Sequence, residues 1–197
     1  MPKSPNSDLV IPRQEAQAMG GALQILFAGP LGTMGESLLN LWENPETLGA
    51  LRPYLDELFD AYYATNALIN RLQWRRETRI RDFSGGEMMV FSDDWLFDPP
   101  SLTPSSTVYI EGIKAQKILR GLQHELNTPL TGLEGFANLA MKRSGAPQLA
   151  EVHGEARRMK GELALMLDSD RDIIAIETDH RIRVAMGFAQ NPRLRAA

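Results

Sequence analysis

Residues 27–34 read FAGPLGTM, and residues 126–133 read LNTPLTGL. A shift of 99 positions lays one on the other and superposes Pro30 on Pro129 and Leu31 on Leu130. Around each proline the chain follows one order. A helical segment holds the proline, a Pro-containing break follows, then a long periodic helix, then a stretch of shorter period. A pattern that recurs at a fixed shift is the mark of an internal repeat.

In the first copy, a helical pattern from Arg13 to Asn40 gives way to Glu43-Asn44-Pro45-Glu46. Asn44 suits a helix cap and Pro45 the first helical position. The spacing of Leu51, Leu55, Leu58, Tyr62, Ile69 and Leu72 predicts a helix over Pro45–Arg76. Ile80–Phe97 holds Gly-Gly and Asp-Asp between short apolar runs, which predicts a β-hairpin. The stretch DPPSLTPSS, Asp98–Ser106, reads as a linker.

In the second copy, a helical pattern spans Val108–Arg143 and breaks at Ser144–Pro147. Leu149, Val152, Ala156, Met159, Leu163 and Met166 mark a further helix, and Ile173–Phe188 a second hairpin turning near Asp179 and His180. The long helices overlay at the same shift, Leu55–Asn70 on Gly154–Ser169, with no gap. The organisation is then a loose lead-in (1–12), a first repeat (13–98), a linker (99–107), a second repeat (108–190) and a tail (191–197).

Each helix carries one apolar stripe, and a lone helical hairpin cannot bury two. Two hairpins together can, as an antiparallel four-helix bundle. The expected fold is mainly α: a pseudo-dimer of two helical hairpins within one chain, with short β-hairpin segments after each. The competing arrangement is a homodimer in which each chain lends one hairpin.

Composition narrows the functional classes. With no cysteine among 197 residues, disulfides, Cys-based zinc sites and thiol catalysis are excluded, which fits a reducing cytoplasm. A net charge of −4 without a Lys/Arg-dense stripe argues against nucleic acid. The run Gly20–Gly35 is too short and too rich in Gly and Pro to span a bilayer, and it starts too late for a signal peptide. Of three histidines, His124, His153 and His180, no pair has metal-ligand spacing, so neither metal nor cofactor is expected.

His124 stands out. On a helix over 117–137, Leu119, Leu122, Leu126, Leu130, Leu133 and Ala137 share one direction, and His124 lies about 180° away. Lys117, Arg120, Gly121, Thr128, Thr131 and Gly135 share its face. Glu125 is placed to orient the ring or take its proton. Thr128, one turn on, can hold a water. Pro129 removes a helix hydrogen bond just past the histidine and kinks the helix. Gly121 and Gly135 leave the face low enough for another protein to dock, and Lys117 and Arg120 favour an anion there.

The segment LQHELNTPLTGLEGFANLA resembles the phospho-acceptor box of sensor histidine kinases, on the dimerisation and histidine-phosphotransfer domain. The match covers His124, Glu125, Leu126, Thr128, Pro129, Leu130 and Thr131; Asn127 stands where a basic residue is common. The box is about eight residues of the chain. The resemblance implies an acceptor histidine at His124, a proton-handling Glu125, and a Thr128 that positions water in phosphatase members. It implies a receiver domain, or a kinase, docking over Lys117, Arg120, Gly121, Asn127, Thr131 and Gly135. By the repeat, Ile25 replaces His124 in the first copy and Leu26 replaces Glu125. The apolar, small face Ala22, Ile25, Gly29 and Gly32 is expected to be buried. No Asn-rich box or Asp-x-Gly-x-Gly loop is present, so ATP-dependent autophosphorylation is not expected; the initiating Met fits a complete small protein.

Three readings follow. The first is a two-component phosphorelay protein in which His124 exchanges phosphate with a receiver aspartate or dephosphorylates it. The second is a non-catalytic adaptor or antagonist of a receiver or kinase, and the third a sensory input module. His153 and His180 read as surface and turn residues. Glu87 with Asp93 and Asp94 reads as a solvated turn, and Trp42, Trp74 and Trp95 as packing anchors.

Overall fold

The computed structural model describes residues 8–83, 86–94, 106–166 and 173–178. In order come β1 (Leu9–Ile11), α1 (Arg13–Glu43), α2 (Pro45–Trp74), β2 (Thr78–Phe83), β3 (Gly86–Phe91), β4 (Ser106–Glu111), α3 (Gly112–Met141), α4 (Pro147–Met166) and β5 (Ile173–Thr178). The protein is mainly helical. No described helix is long and apolar enough to cross a membrane.

Local chemistry sets the boundaries. The Asn44 side-chain oxygen accepts from the Glu46 amide at 3.0 Å, capping α2 with Pro45 at its first position, as its sequence predicts. Ser144 Oγ accepts from the Ala146 amide at 3.3 Å just before Pro147 opens α4. β2 pairs antiparallel with β1 and β3, in the order β1-β2-β3. Gly86 opens β3 at φ 137°, a conformation that side chains disfavour and glycine adopts freely.

The predicted hairpin after α2 is therefore present, as β2 and β3. Two other expectations are corrected: the lead-in expected through residue 12 holds strand β1, Leu9–Ile11, paired with β2, and a strand precedes the third helix. The helix expected from Val108 begins at Gly112, and Ser106–Glu111 is strand β4. The run STVYI is β-branched and aromatic, and suits a pleated surface better than a helix. Ile173–Thr178 pairs antiparallel with β4, Glu111 opposite Ile173. The turn and return strand expected after Thr178 lie outside the described residues, as do most of the linker, the tail and residues 1–7.

The repeat extends further than the prolines. The 99-position shift carries Arg13, the start of α1, onto Gly112, the start of α3, and Leu9–Ile11 onto Val108–Ile110 in β4. Each copy runs strand, helix, helix, and a returning strand antiparallel to the first. Met19, Leu23, Phe27, Leu31, Met34, Leu38 and Leu41 are buried on α1. So are their counterparts on α3: Ile118, Leu122, Leu126, Leu130, Leu133, Ala137 and Ala140. Full burial of one such Leu or Phe contributes about 1.5–3 kcal/mol, so the stripe specifies how each helix turns.

The ungapped overlay of α2 on α4 does not hold. At a shift of 99, buried Leu55 and Leu58 fall on exposed Gly154 and Arg157. Two further positions bring Leu51, Leu55 and Leu58 onto Val152, Ala156 and Met159, all buried. The connections explain it: Asn44 alone lies between Glu43 and Pro45, whereas three residues, 143–145, lie between their counterparts Lys142 and Ala146. The first-copy face is corrected too. Ala22 is buried, but Ile25 is 41% exposed and Gly29 and Gly32 are exposed.

By contacts the chain divides into two units, each drawing on both copies. One comprises Met1–Leu26, Ile69–Glu125 and Leu165–Ala197, the other Phe27–Leu68 and Leu126–Ala164. The division crosses α1 and α3 at equivalent places, four residues before Pro30 and Pro129. In the first unit, an amide chain links α1 to α2. Gln73 donates to Gln24 at 3.1 Å, and Gln24 donates to Asn70 at 2.9 Å. Also in that unit, the Lys114 ammonium sits 2.5 Å from the Glu15 carboxylate. These are equivalent positions under the repeat.

In the second unit, four helical segments touch in a ring. Gly35 of α1 approaches Tyr62 of α2, where an added Cβ would lie 2.8 Å from the phenol oxygen. Gly132 of α3 approaches Ala61 of α2. Lys160 of α4 bridges to Glu134 of α3 at 2.7 Å. Ser37 of α1 donates to Glu151 of α4 at 2.6 Å.

Candidate functional site

α3 presents the sequence motif as its periodicity demands. Leu122, Leu126 and Leu130 are fully buried, and His124 and Thr128 are exposed one turn apart on the opposite face. α3 is helical through Pro129, which has no N–H to offer the Glu125 carbonyl one turn back. Glu125 is half-buried, and among the described residues its carboxylate makes no hydrogen bond to the His124 ring. Adjacent helical residues point about 100° apart, so the pair does not face itself.

The neighbour of His124 is one that sequence reasoning missed. The Phe83 ring packs edge-on against the imidazole, centroids 5.2 Å apart at 61°. Phe83 ends β2, and the β2–β3 hairpin lies along the first turns of this face of α3. The Lys117 ammonium meets the Asp82 carboxylate at 2.6 Å, and the Arg120 guanidinium meets Glu87 at 3.3 Å. Between them Gly121 is buried: an added Cβ would lie 3.0 Å from Ile80 Cδ1 and 3.1 Å from Met89 Cγ. Gly121 thus serves close approach of the protein's own sheet. Lys117 and Arg120, read as anion-favouring, each hold a carboxylate of that sheet. The charge alternation of the hairpin tip (Asp82, Glu87) against α3 (Lys117, Arg120) was the available signal.

The rest of the predicted face is more open. Asn127 is half-buried, and Gly135 is exposed with nothing within 4 Å of a Cβ. Thr131 is exposed and accepts from the Lys160 ammonium at 3.2 Å.

The other candidates are dispersed. His153 is half-buried on α4; His180 and Trp95 lie outside the described residues. The Asp94 carbonyl accepts from the Arg76 amide at 3.0 Å, and the Asp93 carbonyl accepts from Arg75, so both aspartates belong to a backbone turn after β3. Among the described residues no group of three His, Asp or Glu is disposed to hold a metal ion. Trp42, expected as a packing anchor, is 39% exposed on α1.

No protein-family model matches this chain, nor does any curated protein or solved structure.

Proposed function

We propose that the protein is a phosphorelay component built on a four-helix bundle, in which His124 exchanges a phosphoryl group with a receiver aspartate. The observation that carries this reading is the division of the QHELNTPLT motif. His124 and Thr128 face solvent while Leu126 and Leu130 are fully buried in the same helix. A nucleophile must be reached by a partner protein, and the leucines must not.

The chemistry balances without a resident cofactor. The unprotonated imidazole nitrogen attacks the phosphorus of an aspartyl phosphate in line. A nitrogen–phosphorus bond forms, the acyl-phosphate bond breaks, and the aspartate carboxylate leaves. The proton on the other ring nitrogen passes to water, since Glu125 does not face the ring. The receiver supplies most charge stabilisation. Thr128 is the residue that would position water if the receiver is instead dephosphorylated.

The bundle is proposed as intramolecular. The repeated buried stripe, the ring of helix contacts in the second unit and the Lys114–Glu15 pair support a pseudo-twofold relation. Residues nearest such an axis meet their own counterparts. Light scattering tests it: a monomer is expected, and an obligate dimer would sink it.

One observation favours an adaptor instead. Phe83 covers one side of the His124 ring, and Asp82 and Glu87 neutralise the cations beside it. A single experiment separates the readings. The protein is mixed with phosphorylated receiver domains, and acid-labile phosphate is followed on the wild type and on His124→Ala. Label that vanishes with the substitution supports transfer. Thr128-dependent loss of receiver phosphate without label supports a phosphatase. Binding with neither outcome supports the adaptor.

A further inference from the structure

A concave site lies in the second unit, on the first copy. Leu39 and Trp42 of α1 and Asp56, Phe59, Asp60 and Tyr63 of α2 line a groove of about 500 Å³. The α2 residues fall at three- and four-residue steps, so they form one continuous face. Trp42 meets Phe59 edge-on at 5.8 Å, and Phe59 stacks with Tyr63 at 6.1 Å and 23°. Three large apolar side chains stay uncovered here: Leu39 at 52%, Trp42 at 39% and Tyr63 at 61% exposure.

The repeat shows that packing does not require this surface. At the shifts that align the buried stripes, the counterparts are Asn138 and Met141 on α3 and Arg157, Lys160, Gly161 and Ala164 on α4. The same helix pair is built there with no aromatic residue and with the opposite charge. The groove's aromatic rings and carboxylates are thus a local addition to a shared scaffold.

Charge selects the occupant. Asp56 and Asp60 stand one turn apart on an exposed face, where like charges repel. Among the described residues, neither makes an ion pair, and Arg52, a turn before Asp56, does not reach it. Aromatic faces attract cations most when the cation is weakly hydrated, Trp above all. We propose that this groove binds an organic cation, a quaternary ammonium or guanidinium group, against Trp42, Phe59 and Tyr63 with Asp56 and Asp60 as counter-charges. The site is independent of His124 and of the phosphorelay reading.

The test is titration of the full chain with choline, tetramethylammonium and arginine amide, each to about 10 mM. It is followed by calorimetry and by the indole N–H signal of Trp42, assigned with Trp42→Phe. The neutral choline isostere 3,3-dimethyl-1-butanol is the control. A saturable shift is expected, with a cation at least about tenfold tighter than the isostere. Asp56→Asn and Asp60→Asn, both at exposed positions, are each expected to weaken binding about threefold or more. Preference for choline points to a small-molecule source, and preference for arginine amide to a protein side chain; either supports the site. No saturation, or equal binding of the neutral isostere, overturns it.

Discussion

The two copies share an inside and differ outside. Phe27 and Leu126 are equivalent and equally buried, as are Met34 and Leu133. On the solvent faces, Ile25 stands where the other copy has His124, and Trp42 where it has Met141. Buried positions answer to volume and exclusion of water, which the same buried stripe demands in both helices. Exposed positions answer only to what they meet. The second copy thus carries a histidine beside the hairpin of the first, and the first copy an acidic aromatic groove.

The largest effect that would break this equivalence is in the shared core. Phe27→Ala and Leu126→Ala are each expected to lower unfolding free energy by about 3–4 kcal/mol, measured by urea denaturation. A cost below about 1 kcal/mol for either would mean the copies are not packed alike.

Glycines give the next contrast. At Gly20 an added Cβ would lie 2.6 Å from Gln73 Cγ and 3.1 Å from the Gln73 backbone nitrogen. Gly20→Ala is expected to cost about 1–3 kcal/mol. Gly29 has open space around its missing Cβ. Gly29→Ala is expected to stabilise by about 0.5–1 kcal/mol through helix propensity. Thermal melts of both variants test the pair; equal signs would contradict the close approach.

Phe83→Ala probes the histidine side. It uncovers the imidazole and is expected to raise any phosphoryl-transfer rate at His124 by about two- to fivefold, at a stability cost of about 1 kcal/mol. A lower rate would instead make Phe83 a positioning residue for the ring.

The smallest effect concerns pH. The Arg81 guanidinium donates to both Asp8 carboxylate oxygens, at 3.0 and 2.9 Å, and holds that carboxyl below its ordinary 3.8. The folded state therefore favours the ionised form. This contribution is present above the unfolded pKa and is lost as pH falls through the lower folded value. The pair is exposed, so the effect on global stability is small. NMR titration is expected to place the Asp8 midpoint below 3.8 and to move it back up in Arg81→Gln.

Much of this was legible in sequence because it is periodic. Three- and four-residue apolar spacing located four helices, Asn44-Pro45 located a cap, and the shift of 99 superposes the buried positions of α1 and α3. That spacing also placed His124 opposite the buried leucines. The strand Ser106–Glu111 was missed because a short apolar run before a helix carries either period. Pairing with Ile173–Thr178 decides it, and that partner is over sixty residues away.

The site divides in the same way. The sequence by itself determined which residues of α3 turn away from the buried leucine stripe, because helix geometry is local. Only the tertiary structure decided what stands against them: Phe83 on the imidazole, Asp82 and Glu87 on the cations, and Ile80 and Met89 over Gly121. It also decided that Trp42, Phe59 and Tyr63 wall a groove rather than fill a core. Periodicity reports how a helix is turned. What covers its outward face depends on contacts between segments distant in the chain, and no local pattern encodes those.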